Sequence, residues 1–432
     1  MYNSQASEID TILRASFRRN AAAAVSWEIV WGFGAACCLM YMMIPAYLLA
    51  LGASKTLVQI VMLIFPITTG LQLLSSNIIH GPRRKLYVFL VWSLFPGSWL
   101  IYMLAASIGW GRLPSGIWLP FFILTCAALA IIMHLGAPAY NELVVENMPL
   151  KKRGQLGAMR LIGLGIFGMI GAKLASYLMN QKPEPFNFHS TIMIGSSIML
   201  ASCISILFIR DNAQKLQNKK TQALQPLKAV TTLFNNFNFR VFLVFYGLLI
   251  AGQALAPLFI GYSKDVLGMS LNQVTYFSAA YFVGPILVGI LVLPLADRYG
   301  FRLIIILSAA MLALAFFLPL VSQGNRYALL IGYAFFAGSL GLNILILANF
   351  GAELVPDMKP AVIIATGNTL VMPLSLVVAP MGGRLADIYG AGGYLAVLVM
   401  GVTLSVCALV GFILLVREPR TGQEIYVRIR RA

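Results

Sequence analysis

Few side chains in this sequence could do chemistry. Acidic residues number 14 among 432, and most of them stand at the ends of long apolar runs. Glu28 follows Trp27 where the first run begins, Glu142 and Glu146 close the fourth, and Arg160 opens the fifth. These four can pair as ions or carry a proton, or Glu28 and Trp27 can simply mark a membrane interface. The other candidate is the loop LADRYGFR, residues 295–302. There Asp297 can cap a helix end or hold a cation of a neighbouring helix, and Gly300 permits a tight reversal. Arg298 and Arg302 can reach carbonyl oxygens or lipid headgroups. A plain turn with interface anchors accounts for the same residues.

None of this is catalytic machinery. There is no phosphate-binding Walker loop, no zinc-protease pattern and no nucleophile elbow, so neither an enzyme nor a cofactor is expected. Gly163, Gly165 and Gly168 match G-x-G-x-x-G, but no strand precedes them, and the spacing is read as close approach of one helix to another. The five cysteines lie within apolar runs, where they pack as small apolar residues, and none has metal-ligand spacing.

The elements that must position these residues are membrane helices. Hydrophobic residues make up 59% of the chain and charged residues 10%, more apolar surface than a soluble fold of this size can bury. Twelve runs are each long enough to cross a bilayer: 27–50, 57–79, 86–108, 117–140, 157–179, 190–209, 241–263, 273–295, 303–321, 328–350, 362–386 and 392–416. Backbone groups in lipid must be paired within the segment, so these runs are helices rather than alternating barrel strands.

The net charge of +17 would suit a nucleic-acid binder, but its distribution does not. With both termini on one side, the segments on that side hold 23 Lys and Arg, and those on the other hold five, Lys55, Arg112, Lys182, Lys264 and Arg326. That asymmetry places the basic side and both termini in the cytoplasm. Basic clusters such as Arg83-Arg84-Lys85 are expected to anchor at anionic headgroups, and no nucleic-acid partner is expected. A multi-pass protein of the bacterial inner (plasma) membrane follows.

The second half echoes the first. LGAS at 51–54 returns as LGMS at 267–270, Glu146-Asn147-Met148-Pro149 as Glu353-Leu354-Val355-Pro356, and GAKLAS at 171–176 as GGRLAD at 382–387. The division that follows has five parts. Residues 1–26 are a cytoplasmic amphipathic N-terminus, with a surface helix at 8–20. Residues 27–210 and 241–416 are six-helix bundles. Residues 211–240 are a cytoplasmic linker, and 417–432 a basic tail.

LADRYGFR resembles the loop G-x-L-A-D-R-x-G-x-R of the major facilitator superfamily, found after the second helix and often again after the eighth. The match covers Leu295, Ala296, Asp297, Arg298, Gly300 and Arg302, with Leu293 in place of the opening Gly. The first-half copy, NIIHGPRRK at 77–85, keeps a Gly and the basic run but has no acidic residue. Interface anchoring by Arg83 and Arg84 is the reading taken there. ELVVENMPLKKRG at 142–154 resembles the family's link between helices 4 and 5. APMGGRLAD at 379–387 resembles a stretch of exporters that normally lies in helix 5, and the exporters' Arg in helix 4 is replaced here by His134.

The resemblance implies an all-α fold of two pseudo-symmetric six-helix bundles, with helices 1, 4, 7 and 10 lining a central cavity. The loop at 295–302 would then hold one gate closed. Polar residues on the lining helices become substrate candidates: Tyr41, His134, Gln253 and Asn343. A shift of 216 places Cys37 opposite Gln253, and Gln253 lies roughly 18 Å from the cytoplasmic end of its helix. Hydrogen bonding to a neighbouring helix is the alternative for each of them. Pro45, Pro138 and Pro257 are expected to bend these helices.

The expected function is secondary active or facilitative transport of a small organic solute by alternating access. Proton-coupled efflux of amphiphilic compounds is an alternative, and a non-transporting sensor or scaffold is a third. Membrane lipids and the solute are the expected partners, protons are a candidate coupling ion, and a monomer is expected.

Overall fold

In a computed structural model, which describes residues 2–38, 40–72, 84–149, 152–211, 231, 233–292, 300–355 and 360–418, the apolar runs form helices. The first half contains α1 (Tyr2–Ala35), α2 (Met40–Ala50), α3 (Lys55–Ile67), α4 (Arg84–Gly109), α5 (Trp118–Glu146), α6 (Arg153–Met179) and α7 (Phe186–Leu207). The second contains α8 (Phe237–Gln253), α9 (Leu258–Asp265), α10 (Thr275–Leu287), α11 (Phe301–Val321), α12 (Arg326–Leu345), α13 (Gly351–Leu354), α14 (Pro360–Tyr389) and α15 (Ala391–Leu414). Among the described residues nine helices are long and apolar enough to cross a membrane, and Tyr41–Ala50 and Lys55–Gly70 are shorter apolar helices.

Packing repeats between the halves. In the first, α1 packs on α6 and α7, and α4 on α7 and α5; in the second, α8 packs on α14 and α15, and α11 on α15 and α12. Two seams join the halves, α3 along α14 and α6 along α10. Glycine makes the second seam possible. A Cβ at Gly165 or Gly168 would collide with Ile286 or Phe282 of α10, so the G-x-G-x-x-G stretch is a helix-approach surface.

The repeated tetrapeptides have a structural cause. Gly52 and Gly268 both take positive φ, 85° and 62°, a conformation that favours glycine. Each is followed by a serine that starts the next helix. Ser54 accepts from the Leu57 N–H at 3.1 Å, and Ser270 forms a capping box with Gln273.

One expectation needs correction. The predicted surface helix at 8–20 is part of α1, which runs unbroken from Tyr2 to Ala35. No Gly or Pro interrupts the chain before Gly32, and Asn20 fixes the extension to the end of α7. Its amide donates to the Arg210 carbonyl at 3.1 Å and accepts from the Arg210 N–H at 2.8 Å. The first apolar run breaks at Ala36–Cys38, where no proline stands, while Pro45 and Pro138 lie inside α2 and α5. Only Pro257 of the three marks a break, between α8 and α9. The breaks at Cys37 and Gln253 occupy the corresponding positions of the two halves.

Candidate functional site

The break after Gln253 leaves that side chain, 4% exposed, facing α12 (Arg326–Leu345). Its Nε2 donates to Ser339 Oγ at 2.9 Å and approaches Asn343 Oδ1 at 3.4 Å. Asn343 Nδ2 in turn donates to Gln253 Oε1 at 2.5 Å. Ser339 also meets Ser308 of α11, Oγ to Oγ at 3.0 Å. Two of the four residues singled out from the sequence therefore form one reciprocal amide pair, backed by two hydroxyls. The pair carries no net charge. Each amide offers a donor and an acceptor, so bonds between them can be exchanged for bonds to another polar molecule without leaving an ion unpaired.

Tyr41 stands in the other half, at the start of α2. Its ring meets Phe336 of α12 edge-on with centroids 5.6 Å apart, and its carbonyl accepts from the Tyr333 hydroxyl at 3.1 Å. A second bond closes the same break: Ser278 of α10 donates to the Ala36 carbonyl at 2.7 Å. The Ala36 carbonyl, freed where α1 ends, and the Tyr41 carbonyl, left without an N–H donor by Pro45 of α2, are thus both satisfied by the opposite half. His134 lies apart from this group. It is 5% exposed, with Nδ1 2.9 Å from Thr68 Oγ1 and 2.8 Å from the Ala130 carbonyl, and Nε2 3.1 Å from Thr69 Oγ1. The imidazole clamps the short 3-10 turn Thr68–Gly70 that ends α3.

At the face where α1 begins, here the basic face, the carboxylates sort into pairs. Arg160 takes Glu28, with Nε to Oε1 at 2.9 Å, and its guanidinium lies over the Tyr140 ring at 5.2 Å. Glu146 goes to Arg84 instead, at 2.6 Å, and Arg84 also forks onto Asp211 at 2.7 and 3.1 Å. Interface anchoring by Arg84 is thereby overturned: the side chain is 7% exposed and holds two carboxylates. The first-half loop lacks its own acid because the acids come from the ends of α5 and α7. In the second half the Arg302 backbone N–H donates to Glu418 at 3.0 Å, and its guanidinium reaches the last carbonyls of α15. Gly300, at φ 84°, lets the Glu418 carboxylate come close. Asp297 and Arg298 fall outside the described residues.

The opposite, distal face holds a latch between the halves. Asp387 at the end of α14 accepts from the Lys55 and Thr56 backbone N–H groups at 2.9 Å each and from Thr56 Oγ1 at 2.6 Å. Lys55 Nζ reaches Asp265 of α9 at 3.1 Å, and Tyr394 donates to the same carboxylate at 2.9 Å. Asn187 of α7 donates to Asn272 at 2.8 Å. Gly383, in the stretch that resembles exporters, has no room for a Cβ against the Lys55 and Thr56 backbone. That stretch serves close approach of α14 to α3. The acids of this latch were missed from sequence, although LADIYG at 385–390 repeats the LADRYG of 295–300.

A profile of the Major Facilitator Superfamily matches residues 29–375. The chain belongs to the major facilitator superfamily. Solved structures of other members share its fold. The nucleoside transporter NupG (mutant form) aligns with TM-score 0.66 and 15% identity, covering 91% of this chain and 99% of that one. The xylose transporter XylE from E. coli, in a partially occluded inward-open conformation, aligns with TM-score 0.64 and 13% identity over 91% and 97%. A bacterial homologue of the human drug peptide transporters PepT1 and PepT2 aligns with TM-score 0.62 and 13% identity over 95% and 99%. No curated protein matches the sequence. This major facilitator is a multi-pass membrane transporter and not an enzyme.

Proposed function

We propose that this major facilitator carries a small, uncharged organic solute by alternating access, with the Gln253–Asn343 amide pair as the polar floor of its binding site. The observation that carries the reading is the pair itself, a neutral set of donors and acceptors where α8 breaks, with 2.5 Å between Asn343 Nδ2 and Gln253 Oε1. A site of that kind orients a polar solute through a few hydrogen bonds while aromatic walls cover the rest. Tyr41 and Phe336 supply such a wall from both halves. Among the solutes of the structural neighbours, nucleosides and xylose suit a neutral amide pair better than a peptide with charged ends. His134 acts indirectly, by fixing the turn in which α3 ends.

The positive-inside asymmetry puts the basic face in the cytoplasm. The Asp387 and Lys55 contacts are then an external gate, and the loop with Asp297, Arg298, Gly300 and Arg302 belongs to the cytoplasmic one. Glu28 with Arg160 is the pair best placed to exchange a proton during transport, and Glu142 and Glu146 lie at the same end of α5. The test is counterflow in liposomes. Proteoliposomes loaded with an unlabelled neutral solute should transiently accumulate the labelled one, and Gln253→Ala should slow that exchange about tenfold. Exchange at the wild-type rate in Gln253→Ala removes the pair from the path.

A further inference from the structure

Gln59 lies one turn along α3 from the distal latch. It follows Thr56 by three residues and Lys55 by four, so all three share a helix face. That face is pressed against the second half, since α3 packs along α14 and touches α9. Gln59 is 0% exposed, and neither its Oε1 nor its Nε2 has a hydrogen-bond partner among the described residues. The contrast with its surroundings is sharp. The carboxylates of Asp387 and Asp265, the Lys55 ammonium and the Asn187 and Asn272 amides are all paired across this seam or beside it.

Burying an amide with nothing to bond is unfavourable, and a leucine of similar volume would fill the same space without that penalty. The penalty belongs to one state. When the halves part at the distal face, the surface carrying Lys55, Thr56 and Gln59 is uncovered together, and the amide can bond to water. A carrier furnished only with latches would stay shut, because exchange requires two states of similar energy. We propose that Gln59 is a positioning residue of the transport cycle. Its unpaired amide raises the energy of the distal-closed state and offsets the latch made by Asp387 and Lys55. The proposal rests on the alternating-access reading above, and the test separates the two.

The test is a pulsed spin-label distance measurement on the full-length protein in lipid nanodiscs, without added solute. Labels sit at Arg112→Cys and Gln323→Cys, exposed loop positions on the distal face of the first and second halves, with Cys407→Ser to remove the one exposed thiol. Two distances are expected, one for each state. Gln59→Leu should lower the ratio of open to closed about tenfold, and Gln59→Met should do the same should the leucine variant fail to fold. Adding Asp387→Ala to either should bring the ratio back toward wild type. An unchanged ratio in the substituted protein, or a shift toward open, overturns the role of Gln59. A single distance in wild type and in every variant overturns alternating access itself, and this proposal with it.

Discussion

The Asp387 carboxylate caps the first turn of α3 from the opposite half of the molecule. Its two oxygens accept from the backbone N–H groups of Lys55 and Thr56, each at 2.9 Å. Ser54 already caps that helix within its own half, so α3 begins with two caps, one of them borrowed. A helix N-terminus carries unpaired donors and a partial positive charge, which makes it a natural seat for a carboxylate. Here the seat and the carboxylate are on bodies that must separate if the halves rock.

The latch should therefore respond more to Asp387 than to Lys55. Losing an N-cap costs about 1 kcal/mol, whereas the ion pair of Lys55 with Asp265 is partly solvated, with side chains 28% and 31% exposed, and such pairs contribute little. Asp387→Ala should raise the distal-open population several-fold, read as faster labelling of a distal-face cysteine by a membrane-impermeant maleimide. Lys55→Ala should change that rate less than twofold. Equal effects would mean that the ion pair holds the gate as strongly as the helix cap.

Glu28 and Arg160 pair inside the first bundle with side chains only 11% and 17% exposed. Removing one partner from a buried pair leaves a charge without compensation, at about 3 kcal/mol. Glu28→Ala should lower the melting temperature of the purified protein markedly. The double variant Glu28→Leu with Arg160→Met should recover most of that loss. It should also keep solute exchange while losing any uphill accumulation driven by a proton gradient. Melting of Glu28→Ala at the wild-type temperature would show that the pair contributes no stability.

Arg84 separates an anchor from a buried hub. Headgroup anchoring needs only positive charge, so Arg84→Lys would be harmless. The observed geometry, a fork onto Asp211 with a third bond to Glu146, needs the planar guanidinium. Arg84→Lys should cost at least about 1 kcal/mol of unfolding free energy, and a neutral result would return Arg84 to the surface role.

Much of this architecture is legible in the sequence because lipid imposes simple rules. Continuous apolar runs must be helices, and the LGAS and LGMS repeats mark equivalent turns that end in helix-capping serines. Gln253 and Asn343 stand out for the same reason, as amides inside long apolar runs. The break at Ala36–Cys38 leaves no comparable signal, since it lies in small apolar residues and is stabilised from outside, by Ser278. The length of α1 was hidden because its polar stretch is tied to the end of α7 through Arg19 and Asn20, contacts with residues nearly 190 positions away. Asp387 was missed because a charge at the end of a span usually marks an interface, and its partners are backbone groups of a segment more than 300 residues away. Arg84 was misread because its two carboxylates come from helix ends remote in sequence.

The central claim concerns the amide pair, and the most direct test is thermal unfolding of the purified wild type, Gln253→Ala and Asn343→Ala against neutral solutes, organic anions and organic cations. A solute bound at 100 times its dissociation constant adds about 2.7 kcal/mol of stability. The account predicts that a neutral polar solute stabilises wild type and that both substitutions, still folded, lose most of that gain. Stabilisation confined to charged compounds, or a neutral solute whose effect survives in both variants, would contradict it.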